Sequence, residues 1–321
     1  MFMGFLAESK PDRRPARWLS LLLLLVLITS ARAELVEDVQ GHQVDLARRP
    51  TRIVSLSPSI TEILFAIGCD TTNVVGVTTF CNYPPAATSI AQVGGIVDPS
   101  LEAILQAAPD LVLATRGNTL EFMESLNRLD IPVFAIEGNG DLREIIGTIV
   151  QIGLVVGRSR EAEALAEKLN KRLDLVLAKT AAIERVNRPR VYFGELDGAH
   201  WTPGPGSFVH ALIEASGGAN IGAVAQAPWS PLALEVIFEQ DPEVMLAVYG
   251  DDGEAAARRE IEKIVRSSDV WSQTSLGRQG RIYLILADRI QRPGPRVFDV
   301  LEEVSRYLHP EIWNQPSEAN D

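Results

Sequence analysis

Short apolar runs and amphipathic stretches take turns along most of this chain, and their order predicts its architecture. Arg52-Ile-Val-Ser-Leu-Ser reads as a strand, followed by Pro58 and a helical pattern over Ser59–Ile67 that Gly68 stops. Further strands are predicted at Val74–Thr78, Asp110–Ala114 and Pro132–Ile136, with helices at Pro99–Ala107 and Leu120–Leu129. Strands alternating with short helices imply a parallel sheet covered by helices on both faces.

The rhythm then changes. From Ser159 to about Arg185, Ala162, Leu165, Ala166, Leu169, Leu173, Val176 and Leu177 recur at spacings of three and four, so one helical face is apolar. Some 25 residues at ~1.5 Å each make a rod of roughly 37 Å, long enough to cross two lobes. Beyond it the alternation restarts. Strands are predicted at Arg190–Gly194, Glu243–Val248 and Arg281–Leu286, with helices at Phe208–Ala215, Leu234–Glu239, Ala255–Arg266 and Pro295–Leu308. The expected fold is α/β: two Rossmann-like lobes with mainly parallel sheets, residues 34–158 and 186–321, joined by a single long backbone helix, residues 159–185.

The N-terminus changes the picture of where this fold works. Lys10, Arg13, Arg14 and Arg17 precede an apolar run, Leu19–Ile28, and Ala31-Arg32-Ala33 supplies a small-x-small cleavage pattern. That order is a secretory signal peptide over residues 1–33, its apolar run being shorter than the ~20 residues a membrane span needs. Export to the periplasm as a soluble protein is the expectation. The full chain has 30 basic and 42 acidic residues; losing Lys10, Arg13, Arg14, Arg17 and Arg32 with Glu8 and Asp12 leaves 25 and 40, a net charge near −15. So acidic a chain repels nucleic acid, whose binding needs cationic contacts to phosphate. Cys69 and Cys81 flank a predicted extended strand that would hold them too far apart to bridge.

Signatures of catalysis are missing: no phosphate loop, no G-x-G-x-x-G after a strand, no G-x-S-x-G elbow. No enzyme activity and no cofactor are expected. Of the four histidines, His42 and His309 read as surface residues near the ends and His210 as a structural residue of a helix. His200, beside Trp201 in a loop past a strand, is the one placed to meet a ligand or a metal centre carried by one. Ligands of open α/β sheets lie outside the carboxyl ends of the strands. The loops there hold Phe80, Tyr83, Arg116, His200, Trp201, Trp229, Asp288 and Arg292, aromatic walls with a few polar heads that suit a large, partly flat ligand.

The segments RIVSLSPSITEILFAIG, VVGVTTFCNYPP, VGGIVDPSLEAILQAAPDLVLA, PWSPLALEVIFEQDPEVML and RPGPRVFDVLEEVSRYLHPE resemble the periplasmic substrate-binding proteins of ABC importers for vitamin B12 and iron complexes, in order and over nearly the whole mature chain. The resemblance is nearest to the vitamin B12 branch. It implies two lobes bridged by a rigid helix, with limited hinge motion. It also implies a monomeric receptor that hands a small-molecule ligand to a permease dimer driven by a cytoplasmic ATPase. Glu102 and Glu235 match the glutamates that meet permease arginines in that branch. Asp288 and Arg292 match an acid–arginine pair of its last loop, and Trp229 a tryptophan of its second lobe. Phe80 replaces a hydroxyl-bearing residue there. A corrinoid, haem and a ferric siderophore all remain open as ligands.

Overall fold

In the computed structural model, residues 1, 35–41, 43–45, 49–137, 140–196, 198–250 and 252–314 are described. The leader read over residues 1–33 lies outside them save for Met1, and His42 lies outside them too.

Strands β1 (Leu35–Glu37) and β2 (Gln43–Asp45) make a small antiparallel pair. Strands β3 (Ile53–Ser55), β4 (Val74–Val77), β5 (Leu111–Thr115) and β6 (Val133–Ile136) form a parallel sheet in the order β4-β3-β5-β6. The helices of this lobe are α1 (Pro58–Ala66), α2 (Leu101–Ala107), α3 (Leu120–Asn127) and α4 (Leu142–Val155). Their starts follow local chemistry. Ser100, Thr119 and Asp141 each accept a backbone N–H of the first turn, from Ala103, Phe122 and Glu144.

Helix α5 (Ser159–Thr180) comes next and ends five residues short of the expected Arg185. Where the long helix was expected to continue, a 3-10 turn at Arg185–Asn187 leads instead into the second lobe.

That lobe contains strands β7 (Arg190–Phe193), β8 (Trp201–Pro203), β9 (Ala219–Asn220), β10 (Trp229–Pro231), β11 (Val244–Tyr249) and β12 (Ile282–Leu286). Its helices are α6 (Phe208–Ala215), α7 (Leu234–Gln240), α8 (Glu254–Ser267), α9 (Ser275–Gln279), α10 (Ala287–Ile290), α11 (Val297–Leu308) and α12 (Pro310–Trp313). The sheet runs β9-β7-β11-β12, all parallel, so the second lobe repeats the strand order of the first; β8 and β10 form a separate antiparallel pair. In both sheets the first strand has neighbours on each side, which opens a crevice at its carboxyl end.

The duplication extends to fine detail. Arg52, just before β3, donates Nε to the Ala108 carbonyl at 2.9 Å, while its N–H reaches Asp110. Arg190, which opens β7, donates Nε to the Asp241 carbonyl at 2.7 Å, while its N–H reaches Glu243. Ala108 and Asp241 are the left-handed residues that end α2 and α7. Each lobe thus clamps one seven-residue helix to the start of its central strand.

Three apolar layers hold the molecule together. Two are local, one on the outer face of each sheet. The third is continuous through both lobes. It takes in Ile60 and Ile63 of α1, Ile149 and Ile152 of α4, Leu169, Leu173 and Val176 of α5, Leu212 of α6, and Leu301 and Val304 of α11. Arg172 of α5 adds a tie to α11, with Nε 2.5 Å from Glu302 and a terminal nitrogen 2.8 Å from Asp299.

Two cysteine and histidine readings resolve here. Cys69 and Cys81 are both buried and unbridged. His309 is buried rather than on the surface: its Nε2 lies 3.0 Å from the Gly217 carbonyl, because the end of α11 folds back onto the turn after α6.

His210 is half-buried, with Nδ1 2.9 Å from the Asn220 side-chain amide. Burial pushes its imidazole below the usual 6.5. The unfolded chain therefore takes up a proton more readily than the folded one. The contribution of His210 is fully present above about 6.5 and is lost as the pH falls from there toward the depressed folded value. Melting temperatures of wild type and His210→Gln, followed by circular dichroism downward from pH 7, should show a shallower decline for the variant.

Candidate functional site

Between the lobes lies a cleft of about 1030 Å³. The first lobe lines it with Arg116 after β5, Glu137 after β6, and Glu144, Gly147, Thr148 and Gln151 of α4. The second lobe contributes Ser207 and Phe208 at the start of α6, Pro228 and Trp229 at the start of β10, and Gln291 and Pro293 from the loop after α10. The volume sits at the upper end of ordinary small-molecule sites.

Arg116 Nε lies 3.1 Å from Glu137, so the cleft's arginine is already paired. Its loop is pinned from behind by buried Asn118, which accepts the Thr115 N–H and donates to the Ile96 carbonyl. Glu144 accepts the Gly140 N–H at 2.8 Å. Trp229 is 39% exposed and stands edge-on to Phe193 at 6.0 Å. In the β8–β10 pair Trp229 faces Pro203 and Trp201 faces Pro231. Alternation along a strand therefore puts both tryptophans on one face, with Thr202, buried and bonded to the Phe193 carbonyl, on the other. Trp201, 49% exposed, extends that aromatic face beyond the cavity's immediate lining.

The remaining expected residues go elsewhere. His200, expected beside the ligand, is only 7% exposed and turns into the second lobe, where Nδ1 meets the Glu195 carbonyl at 3.0 Å and the ring packs edge-on against Trp271. Its left-handed backbone, φ 49°, swings the side chain inward while Trp201 points out. Asp288 and Arg292 bridge the lobes. Arg292 lies 2.6 Å from Asp288, donates to the Asn82 side chain at 2.6 Å and to the Phe80 carbonyl at 3.1 Å, while Asn82 donates to Asp288 at 2.7 Å. Phe80 keeps its ring outside, 56% exposed on the first lobe's rim. Tyr83 lies under Arg296, whose guanidinium carbon is 4.0 Å from the ring centre.

At the centre of this bridge is a residue the sequence reading passed over. Glu62, buried in α1, takes Arg296 Nε at 2.8 Å and its second nitrogen closer still, with Arg292 at 3.4 Å. A lone acid in the run Ile60-Thr-Glu-Ile-Leu was the available signal. So was a whole helix: α4, which lines the cleft, has Asp141 and Glu144 spaced as a capping pair ahead of an apolar run.

Glu102 and Glu235 are exposed in the first turns of α2 and α7, the two clamped helices. In each, the position one turn on is an exposed apolar residue, Leu105 or Phe238.

Comparison with known proteins bears on all of this. A sequence profile described as periplasmic binding protein matches residues 53–288. An uncharacterized ABC transporter substrate-binding lipoprotein of Bacillus subtilis is 25% identical over 284 residues, 87% of either chain. A cobalamin-binding protein of Halobacterium salinarum is 30% identical over 278 residues, 85% of this chain and 73% of that one. Among solved structures, a periplasmic heme-binding protein of Roseiflexus sp. RS-1 superposes with a TM-score of 0.70 at 26% identity, covering 81% of this chain and 98% of that one.

Removing one partner of a buried ion pair leaves the other charge uncompensated and costs about 3–5 kcal/mol. Glu62→Ala, which takes the carboxylate from Arg296 while Arg292 keeps Asp288, should lower the unfolding free energy by about that amount in guanidinium titration. Asn82→Ala, at the exposed end of the bridge, should cost well under half as much.

Proposed function

The chain belongs to the periplasmic binding protein family, and on that premise we propose that it captures a corrinoid in the interlobe cleft and delivers it to the membrane permease of an ABC importer. Proteins of this family bind and hand over solutes; they are not enzymes. Export through the leader at residues 1–33 and a monomeric state complete the reading.

The character of the cleft carries the choice of ligand. Its wall is aromatic at Trp229 and its floor neutral and hydrogen-bonding at Thr148 and Gln151, which suits a macrocycle with a rim of uncharged carboxamides. The Roseiflexus relative favours haem as a second reading. Haem needs an axial ligand for iron and cations for its propionates. Among the described residues, the cleft lining holds no histidine, tyrosine, methionine or cysteine, and Arg116 is paired with Glu137 near a further acid, Glu144. Cobalamin brings its own axial base and amide rim, so none of those groups is missed. The Halobacterium relative supports the same choice.

Delivery follows from the two clamped helices. Glu102 and Glu235 stand on corresponding helices of two lobes with the same strand order, so each would meet one subunit of a two-fold permease. Ligand enters the groove, Phe80, Trp201 and Trp229 cover its apolar face, and the loaded protein docks through the two acids. ATP hydrolysis belongs to the permease complex.

Titration with cyanocobalamin should quench tryptophan fluorescence, since Trp229 lines the cleft, whereas haemin should give no Soret shift. No quenching up to high micromolar cyanocobalamin would remove the corrinoid reading. Reversing both docking charges, Glu102→Lys with Glu235→Lys, should abolish corrinoid uptake in cells supplied with the importer while the dissociation constant stays within about twofold, neither residue being part of the cleft lining.

A further inference from the structure

Helix α4 contains two glycines, and packing explains only one. At Gly153 a Cβ would lie 2.2 Å from the Ala162 Cβ of α5, so the close crossing of the two helices requires glycine there. At Gly147 a Cβ would meet nothing within 4 Å among the described residues beyond the helix's own nearby backbone, and the position lies inside regular helix. Glycine in a helix interior costs roughly 0.5–1 kcal/mol relative to alanine, and no close packing among the described residues calls for it here.

The next residue is as unusual. Thr148 is only 7% exposed, and its Oγ1 is the one buried side-chain polar atom without a hydrogen-bond partner among the described residues. Other buried hydroxyls find a carbonyl, Thr180 at Val176 and Ser216 at Leu301 among them. A helical threonine has one to hand four residues back, yet Thr148 leaves it unused. An unpaired buried polar group is destabilising unless something else satisfies it. Both residues line the interlobe cleft, and Gln151, exposed one turn further on, completes the stripe.

We propose that Gly147, Thr148 and Gln151 form the specificity-determining floor of the ligand site, reading the carboxamide rim of the macrocycle. The Gln151 side-chain amide exchanges hydrogen bonds with rim amides, Gly147 lets the rim rest against the helix backbone, and Thr148, whose Oγ1 is enclosed in the free protein, turns that hydroxyl out to a rim amide when the ligand seats. None of these residues was expected from the sequence. The inference rests on the corrinoid reading of the cleft and says which surface does the recognising.

Wild type, Gly147→Ala, Gly147→Leu, Thr148→Val and Gln151→Ala are each titrated with cyanocobalamin and with dicyanocobinamide, which keeps the amide rim but lacks the nucleotide, and each is melted without ligand. Thr148→Val removes a hydroxyl that the free protein leaves unpaired, so its melting temperature should equal or exceed wild type while both probes bind about tenfold more weakly. Gly147→Ala should likewise melt no lower yet bind more weakly, and Gly147→Leu more weakly still. Stability kept and affinity lost is a pairing that a merely structural role would not produce. If wild type binds and the Gly147 and Thr148 variants bind both probes within twofold of it, the floor is wrong and the corrinoid reading stands. If wild type binds neither probe, both fall together.

Discussion

One uninterrupted layer of apolar side chains, wrapped around a helix of 22 residues, governs everything else in this molecule. Two separate lobes on a flexible linker would each close their own core and move freely. Here the inner face of the first sheet, α4, α5, α6 and α11 share a single core. Any large change in the angle between the lobes would have to expose part of it to water, at roughly 25 cal/mol for each Å² of apolar surface uncovered. The distance between the two rims is therefore a property of the folded chain, and the cleft exists before a ligand arrives.

The charged bridge acts on the same geometry from the rim. Glu62 sits in the first lobe and its arginines in the second, so the ion pair forms only when the lobes are at their observed separation. A pre-formed cleft has consequences for recognition, because contacts need not first overcome the cost of closing it. On the proposed reading, selectivity would then depend on which groups the fixed walls present. Those are an aromatic face at Trp229, an arginine neutralised by Glu137, and a helix surface with an unused hydroxyl. The repeated clamps at Arg52 and Arg190 tie the two acid-bearing helices to their sheets, so rigidity also reaches the outer surface that would meet a permease.

Much of the architecture was legible because strands, helices and their breakers alternate with strong local signals. The parallel sheets, the spacer helix and the helices carrying Glu102 and Glu235 all come from such patterns. Helix α4 was missed although Asp141 and Glu144 mark its start, because the isoleucines and two glycines within Leu142–Val155 weaken the local helical signal. The site was legible as a set of loops, but loop membership does not say which way a side chain turns. His200 and Trp201 are neighbours, and a left-handed φ at the first sends one ring into the core and leaves the other outside. Asp288 and Arg292 were found for their chemistry, yet their partners Glu62, Asn82 and Phe80 lie more than two hundred positions away in sequence. Only the folded chain brings those groups together.

The most direct test of a cleft held open by a shared core is the distance between the lobes, free and loaded. Spin labels at Glu121→Cys and Glu260→Cys would report on exposed positions of α3 and α8, with the native Cys69 and Cys81 buried from the reagent. Double electron–electron resonance should give a single narrow distance distribution that superposes before and after saturation with cyanocobalamin. A broad distribution in the free protein that collapses to a shorter distance on loading would mean that the lobes move as independent bodies.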